Sequence, residues 1–387
     1  MSAVGINLSS SKISVIELAG SRKDIIIKNI VKAELPSNSI IKGEVQNPII
    51  LANGLKEIWK KYKISDRKVF IGIANQKVIV KEVKIPVVDD IEIANSVKYQ
   101  ISDFIPIPKD NIIYDYFVIE KEESFSRLML VGALKSMIDS VVESFKKAGL
   151  LAQAIDLNCF ALYRTIDYIY ELEKNRKKNE SNIFCIVYLG REISIIGIIQ
   201  NNNLKYPRFT STSINSFIER IYKEIKKDNK YCEEIIDKFD FRSLLVEGGI
   251  KGKMIKEQSN DSSSAKSQKK EDKKSDKDNI ENIDDKNITE IMKDTADHVI
   301  YEISLSLEHF LQENPKNKID KIILTGEYIK NIDKYIKQKL NYKVELLNIA
   351  DYFSLKYLLR NPNYRDKNLN YLIDPLSIGM ALRGLSK

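Results

Sequence analysis

The stretch INLSSSKISV (6–15) contains the pattern that decides the fold, and VYLGREISI (187–195) repeats it in the second half of the chain. Each stretch is typical of a strand, a tight polar turn and a second strand. A third strand follows each of them, at 24–35 and at 203–209, and helices come next. Two α/β halves in tandem predict a cleft between equivalent domains. Two unrelated α/β domains stay open as the alternative.

Composition limits the class of protein to which this chain can belong. The 387 residues are 43% hydrophobic and 30% charged, which predicts two or three domains with real cores rather than a disordered chain. The most apolar window, 183–200, is broken at its centre by Arg191 and Glu192, so we expect no membrane span. The first twenty residues hold a single Lys and are not typical of a secretory signal. We therefore expect a cytoplasmic protein.

The net charge of +8 raises the question of a polyanionic partner. Only 12 of the 62 basic residues are Arg, the residue that makes bidentate contacts with phosphates and base edges. The positive charge is therefore a lysine-rich background, and we predict no binding of nucleic acid. At most, this charge favours a position beside an anionic membrane surface.

The cysteines and histidines predict neither a metal site nor a disulfide. Cys159, Cys185 and Cys232 are far apart, lie among apolar or aromatic residues, and lack the spacing of metal ligands. His298 and His309 are eleven residues apart on one predicted helix, without suitably spaced ligands nearby. We therefore expect no zinc chemistry, no metal ligand and no catalytic residue.

Periodicity and turn signals predict alternating helices and strands along the chain. Beyond the repeats, we predict strands at 68–74, 77–85, 114–120, 126–133 and 321–325, the first two forming a pair. We predict helices at 47–62, 89–104, 135–148, 154–175, 214–227, 287–312, 329–340 and 376–385. Residues 256–287 are highly charged, with no aromatic residue and few aliphatic ones, so we expect this polar insert to be disordered.

Several short motifs, taken in order, resemble one protein family. The two hairpins and the late turn Leu324-Thr325-Gly326 are similar to those of the actin and sugar-kinase superfamily. Within it, the chain resembles the PilM family of type IV pilus assembly. The motifs that carry this resemblance are at 80–86, 97–100, 104–106, 114–116, 132–135, 147–150, 155–157, 161–164 and 379–384. The similarity runs nearly end to end and breaks mainly at the polar insert.

The resemblance implies an α/β, actin-like (ribonuclease H-like) fold of two halves. As in the cell-division protein FtsA, a small subdomain, 1C, would be inserted in the first half. The implied boundaries are 1–77, 152–180 and 365–387 for subdomain 1A; 78–151 for 1C; 181–212 and 288–364 for 2A; 213–255 for 2B; and 256–287 for the polar insert.

The resemblance also implies a protein partner. Members of this family are held at the inner face of the cell membrane by the N-terminal cytoplasmic tail of PilN, an inner-membrane protein, which binds in an apolar groove between 1A and 1C. The implied groove residues here are Val80, Val83, Ile85, Pro86, Phe104, Ile105 and Pro106. Other pilus platform and motor components are further implied partners, a homo-oligomer is left open, and type II secretion builds an equivalent arrangement.

The superfamily further implies that ATP with Mg²⁺ binds in the cleft, held by the backbone N–H groups of two hairpin turns and by a carboxylate in each strand. The corresponding positions here are Asn7, Ser9, Ser10, Ser11, Lys12, Asp156, Gly190, Thr325, Gly326 and Glu327. Asp156 is expected at the start of the helix predicted at 154–175. It is the one carboxylate that this correspondence leaves near the cleft.

Three departures from the superfamily pattern weaken the prediction of an ATPase. Asn7 and Tyr188 stand where the strand carboxylates belong. Arg191 and Glu192 replace small residues in the second turn. Glu327 stands where a second Gly would let the backbone approach the nucleotide. We expect weak or absent hydrolysis, and nucleotide binding and an ordinary polar hairpin turn stay open as alternatives.

Our interpretation is a scaffold, and two other classes stay open beside it. An actin-like ATPase or kinase would turn over nucleotide, and a sugar kinase would also need a catalytic Asp and a sugar pocket, neither of which we find. A filament-forming membrane adaptor like FtsA would carry an amphipathic C-terminal membrane helix. Here the last helix, 376–385, is instead expected to pack in subdomain 1A.

Overall fold

The computed structural model describes residues 2–21, 24–87, 89–172, 183–245, 276–353 and 373–385. Most of the polar insert predicted to be disordered, residues 256–275, lies outside the described residues. Parts of the subdomains predicted at 213–255 and 288–364 also lie outside them. Within the described part of the chain, no helix is long and apolar enough to cross a bilayer.

The first half is built on a five-stranded sheet. Its elements are β1 (Ser2–Leu8), β2 (Lys12–Ser21), β3 (Asp24–Glu34), β4 (Ile40–Ile41), β5 (Glu44–Val45), α1 (Pro48–Tyr62), β6 (Lys68–Ile73), β7 (Ile79–Ile85), α2 (Asp90–Phe104), β8 (Ile112–Lys121), β9 (Ser126–Leu134), α3 (Lys135–Lys147), β10 (Leu151–Leu157) and α4 (Asn158–Leu172). The strand order is β3-β2-β1-β6-β10. Strand β2 is antiparallel to its neighbours, whereas β1, β6 and β10 are parallel.

The second half repeats this sheet. Its elements are β11 (Ile183–Leu189), β12 (Ser194–Gln200), β13 (Asn203–Thr210), α5 (Ile214–Ile225), α6 (Asn229–Lys238), α7 (Asp276–Glu313), β14 (Lys321–Gly326), α8 (Ile332–Leu340), β15 (Val344–Leu346) and α9 (Pro375–Leu385). The strand order is β13-β12-β11-β14-β15, with the same pattern of directions. In both sheets the order is third, second, first, fourth, fifth. The tandem repeat predicted from the two hairpin sequences is therefore confirmed.

A separate three-stranded antiparallel sheet, β7-β9-β8, lies within the first half. The predicted pairing of 68–74 with 77–85 is wrong, because β6 joins the large sheet and β7 the small one. Asn75 redirects the chain between them: its side chain donates to the Lys42 carbonyl oxygen at 2.9 Å and accepts from the Lys77 N–H at 2.7 Å. After this turn the chain leaves the large sheet, and β7 pairs with β9 instead of β6.

Two predicted helix boundaries are wrong. Residues Leu151–Leu157 form a strand parallel to β6, so the helix predicted at 154–175 begins only at Asn158. The edge of β6 supplies hydrogen-bond partners for this main chain, which no local pattern announces. Helix α7 begins at Asp276 rather than at 287. The intervening residues include no Gly or Pro, and extending an existing helix costs little.

Helix α9 is buried on most sides and holds the first half together. An added Cβ at Gly5 in β1 would lie 1.9 Å from the Ser377 carbonyl oxygen, and one at Gly379 would lie 1.9 Å from that of Ala161 in α4. Glycine at both positions allows this close approach of backbone to backbone. The packing fixes Asp374, directly before α9, at the cleft between the sheets.

Candidate functional site

The hairpin turns of the two large sheets face each other across a cleft. The cleft holds a cavity of about 340 Å³, and a second cavity of about 360 Å³ adjoins it beside β14. Five residues line both cavities: Lys32, Tyr188, Glu327, Tyr328 and Asp374. Small-molecule sites commonly have volumes of about 300–1,000 Å³. The structure therefore contains the cleft that the tandem hairpins predicted.

Several polar groups of the first turn form hydrogen bonds with one another. The N–H and the hydroxyl of Ser9 both donate to the Lys12 carbonyl oxygen at 2.9 Å, and the Lys12 N–H donates to the Ser9 hydroxyl at 3.2 Å. Ser11 is exposed, and its carbonyl oxygen accepts from the Leu35 N–H at 2.8 Å. Ser9 and Lys12 line the first cavity. The Ser9 hydroxyl is therefore used by the turn itself.

The Ser10 amide binds a carboxylate from the opposite half. Its N–H lies 2.9 and 3.1 Å from the two carboxylate oxygens of Glu192, and the Ser10 hydroxyl donates to one of them at 2.6 Å. Glu192 lies in the turn between β11 and β12, so this contact joins the two hairpin turns. Arg191 instead pairs with Glu233, and its other terminal nitrogen lies 4.0 Å from Glu327. Glu192 therefore spans the cleft, whereas the sequence analysis noted it only as a departure from the superfamily pattern.

The two positions expected to carry strand carboxylates are neutral. The Asn7 side-chain oxygen accepts from the Asn158 amide at 2.9 Å. Tyr188 is buried, and its hydroxyl donates to Asp374 at 3.4 Å. Burial, together with the nearby carboxylates of Asp374 and Glu327, raises the pKa of the Tyr188 phenol well above its ordinary value. Neither position therefore brings a negative charge to a metal ion.

Asp374 is a cleft residue that the sequence analysis did not single out. It is 5% exposed, and it accepts hydrogen bonds from the Ser377 N–H at 3.0 Å and the Ser377 hydroxyl at 2.7 Å. These bonds satisfy the first turn of α9 and place a carboxylate between the two cavities. The signal was the Asp374-Pro375 pair, which predicts a helix start and says nothing about a cleft.

Asp156 forms an ion-pair cluster away from both cavities. Its carboxylate lies 2.8 Å from the Arg164 guanidinium and 2.6 Å from that of Arg383. It lies in strand β10 rather than in a helix, and it is not among the described residues that line either cavity. Its carboxylate therefore ties α4 and α9 to the edge of the first sheet.

The third predicted turn packs against the end of β11. Gly326 has φ +99°, and an added Cβ would lie 2.4 Å from the Leu189 carbonyl oxygen, so Gly is required there. The Glu327 N–H donates to that same oxygen at 2.7 Å. Thr325 is buried and lines the second cavity, and Gly190 lines the first. The apolar wall of the second cavity is formed by Leu324, Leu346, Leu347, Ile349, Ile373 and Pro375.

The predicted partner groove divides between a closed face of the small sheet and its surroundings. Helix α2 covers one face, and three predicted groove residues are buried in that contact: Val83, Ile85 and Ile105. These three have almost no surface to offer a partner in the structure. The other four keep exposed or partly exposed surface: Val80, Pro86, Phe104 and Pro106.

The opposite face of the small sheet is partly open and carries both apolar and charged side chains, with Asp115 between Ile113 and Phe117 on β8. Strand register places Phe117 beside Met129 and places Ile113 beside Ala133 on this face. Phe117 is 44% exposed and Ile113 is 38% exposed, which is unusual for two large apolar side chains on one strand. The Phe117 ring meets Phe160 of α4 edge to face, with ring centroids 5.7 Å apart. We call this surface, defined by Ile113, Phe117 and Phe160, the β8 face.

A groove continues along the same side of the small sheet. It has a volume of about 710 Å³ and runs between β7 and β9 on one side and β13 and α7 on the other. Val80 lies in it, and Lys205 of β13 bridges it to Glu82 of β7 at 2.8 Å. Of the seven predicted groove residues, Val80 and Val83 contribute to its lining.

A comparison with protein families identifies the chain. A family model described as "Type IV pilus assembly protein PilM" matches residues 5–235 and 251–385. This chain belongs to the PilM family. The resemblance predicted from the ordered motifs is therefore confirmed.

Two solved structures are similar to this chain. A structure described as the PilM-PilN type IV pilus biogenesis complex is 18% identical, with a TM-score of 0.75, and the match covers 100% of this chain and 99% of that one. This likeness confirms the predicted actin-like α/β fold. The ethanolamine utilization protein EutJ from Carboxydothermus hydrogenoformans is 11% identical, with a TM-score of 0.48, and the match covers 98% of this chain and 90% of that one.

The cleft of this PilM-family chain does not fit a phosphate chain in the conformation described. Among the described residues, three cations and five carboxylates line the first cavity: Lys12, Lys32, Arg191, Glu192, Glu233, Asp237, Glu327 and Asp374. A polyphosphate there would meet excess negative charge, and the Ser10 amide is already bonded. In the described part of the chain, no group of three His, Cys, Asp or Glu side chains is arranged to hold a metal ion. The apolar second cavity, by contrast, suits a flat ring.

Proposed function

We propose that this chain is the actin-like scaffold of a type IV pilus inner-membrane platform, or of a related secretion machine. Its work is to bind the N-terminal cytoplasmic tail of a PilN-like membrane protein. That tail would hold the chain at the inner face of the membrane. Membership of the PilM family supports this role, as does the fold shared with a chain from a PilM-PilN complex.

The observation that carries the proposal is the β8 face. An exposed aromatic residue beside a second aromatic residue is the kind of surface on which a peptide anchors. Strand β8 is also an outer strand of the small sheet, so its outward main-chain groups can pair with an extended tail. The other face of the small sheet cannot anchor a peptide in this way, because α2 already covers it.

The small sheet and α2 make up the proposed subdomain 1C, with the boundaries 78 and 151 taken from the sequence. A buried cluster supports this division, because in the described part of the chain Ile93, Val97 and Ile101 of α2 cluster with this sheet and its flanking residues. We propose that the tail binds where this unit meets α4 of the first half. This proposal retains a groove between 1A and 1C, but its lining is the β8 face instead of Val83 and Ile85.

We propose no nucleotide hydrolysis for the cleft. ATP with Mg²⁺ stays an expectation from the superfamily, supported at the base end by the apolar second cavity beside Thr325. The neutral Asn7 and Tyr188 supply neither a metal ligand with charge nor a base for an attacking water. Any nucleotide would therefore act as a structural ligand.

Binding of the tail peptide to a matched pair of variants tests the proposal. The peptide comes from the N-terminus of a PilN-like membrane protein of the same organism, and fluorescence anisotropy gives its Kd. Phe117→Asp should weaken binding by about 30-fold, about 2 kcal/mol, as expected for loss of an aromatic anchor. Tyr99→Asp is the control, because Tyr99 is 75% exposed on α2, away from the β8 face. Equal affinities for Phe117→Asp and the unmodified chain would place the tail elsewhere.

A further inference from the structure

Glu192 reaches across the cleft to the amide that a phosphate would need. Both its carboxylate oxygens lie within 3.1 Å of the Ser10 N–H, and one lies 2.6 Å from the Ser10 hydroxyl. The Ser10 hydroxyl also accepts from the Lys42 N–H at 3.1 Å. That acceptance directs the hydroxyl proton toward Glu192. Ser10 therefore presents two donors, and one anion takes both.

A carboxylate and a phosphate group are chemically equivalent at such a site. Each offers adjacent oxygens that carry negative charge and accept from N–H and O–H donors. A single N–H with its neighbouring hydroxyl cannot give the same bonds to two anions at once. A phosphate group at the first turn and Glu192 in its observed position are therefore mutually exclusive.

The surrounding charges hold Glu192 in this position. Arg191, its neighbour in the turn, is paired with Glu233 and lies 4.0 Å from Glu327. Arg191 is thus directed toward its own half, and Glu192 is directed toward the first half. Both side chains are partly shielded from solvent, where a charged hydrogen bond counts for more than on an open surface.

We infer that Glu192 is an internal substitute for phosphate, and that it determines whether the first turn can accept a phosphate-bearing ligand. The contact also links the two halves, since Ser10 and Glu192 belong to different sheets. A phosphate-bearing ligand at this turn must break that link. This inference is independent of the partner proposed for the β8 face.

Titration of Mg-ATP and of magnesium pyrophosphate into Glu192→Ala, followed by calorimetry, tests the inference. Losing a hydrogen-bonded charged competitor should tighten binding by about 10- to 100-fold relative to the unmodified chain. Asp237→Ala is the matched control: it removes the same charge from the same cavity and leaves both the Ser10 bonds and the Arg191–Glu233 pair intact. The control should therefore gain much less affinity.

A second readout does not depend on nucleotide. Hydrogen exchange at the Ser10 amide should accelerate in Glu192→Ala and stay unchanged in Asp237→Ala, because only the first variant removes the acceptor. Glu192→Gln keeps one acceptor oxygen and should give intermediate exchange. Exchange at Ser10 that is the same in all variants would overturn the inference. The inference would also be overturned if Glu192→Ala bound neither ligand at millimolar concentration, or bound them no more tightly than Asp237→Ala.

Discussion

Replacing Gly379 by Ala in α9 sets two physical effects against each other. Inside a helix, Ala is favoured over Gly by about 1 kcal/mol. The new methyl group, however, would lie 1.9 Å from the Ala161 carbonyl oxygen and 2.5 Å from its carbonyl carbon, where ordinary contact begins at 3.4 Å. Both atoms belong to the backbone of α4, so the two helices must separate. Overpacking costs about 1–3 kcal/mol and more when backbone must move. We therefore expect a net loss of about 2 kcal/mol in the free energy of unfolding.

Urea unfolding measures this loss, and Trp59 makes the measurement local. It is the single Trp of the chain, is 8% exposed, and lies in the core of the first half. Gly384→Ala is the control: its methyl group would meet the Phe70 ring at 2.4 Å and the Ala3 methyl at 2.6 Å, and side chains give way more readily than backbone. Gly379→Ala should therefore lose more stability than Gly384→Ala.

The sign of the change in the free energy of unfolding tests whether α9 packs on α4 as described. If Gly379→Ala were as stable as the unmodified chain, or more stable, the higher helix propensity of Ala would not be opposed by a steric clash. Helix α9 would then not pack on α4 at the described distance. The placement of Asp374 at the cleft would fail with it, because α9 carries that residue to its position.

Two further predictions concern charge and pH. Asp156→Asn leaves Arg164 and Arg383 beside a neutral amide, so urea unfolding should show a loss of about 2 kcal/mol; unchanged stability would contradict the described ion pairs. Burial and the hydrogen bond to Glu313 raise the pKa of Tyr206 to about 12. The unfolded phenol titrates near pH 10, so this contribution is complete below about pH 10 and is lost as pH rises through about 12. The free energy of unfolding of Tyr206→Phe should depend less on pH between about 10 and 12 than that of the unmodified chain. The same pH dependence in both proteins would refute this.

The repeated hairpin made the architecture predictable. Alternation of apolar residues and polar turns is a local signal, and it located the first two strands of each large sheet within a few residues. The pairing of β6 and β7 was missed, because the partner of a central strand is chosen by distant residues: β6 lies between β1 and β10. The start of the helix predicted at 154–175 was placed too early for the same reason, because Leu151–Leu157 pairs with β6.

The sequence located most residues of the candidate site, but it did not predict the contacts between them. The sequence located Ser10 and Glu192 in two turns, but nothing in either turn announces a bond over 182 positions. The partner groove shows the same limit. Val83 and Ile85 alternate correctly for one face of a strand, yet only the placement of α2 shows that this face is closed. Phe117 carries no distinguishing local signal.

Hydrogen exchange of the chain with and without the PilN-like tail peptide tests the central claim most directly. The account predicts new protection in peptides covering β8 and the first turns of α4, where Phe117 and Phe160 meet. Peptides covering α2 should exchange at the same rate in both samples. Protection confined to α2 or to the cleft, or no protection at saturating peptide, would contradict the claim that this chain is a scaffold bound through the β8 face.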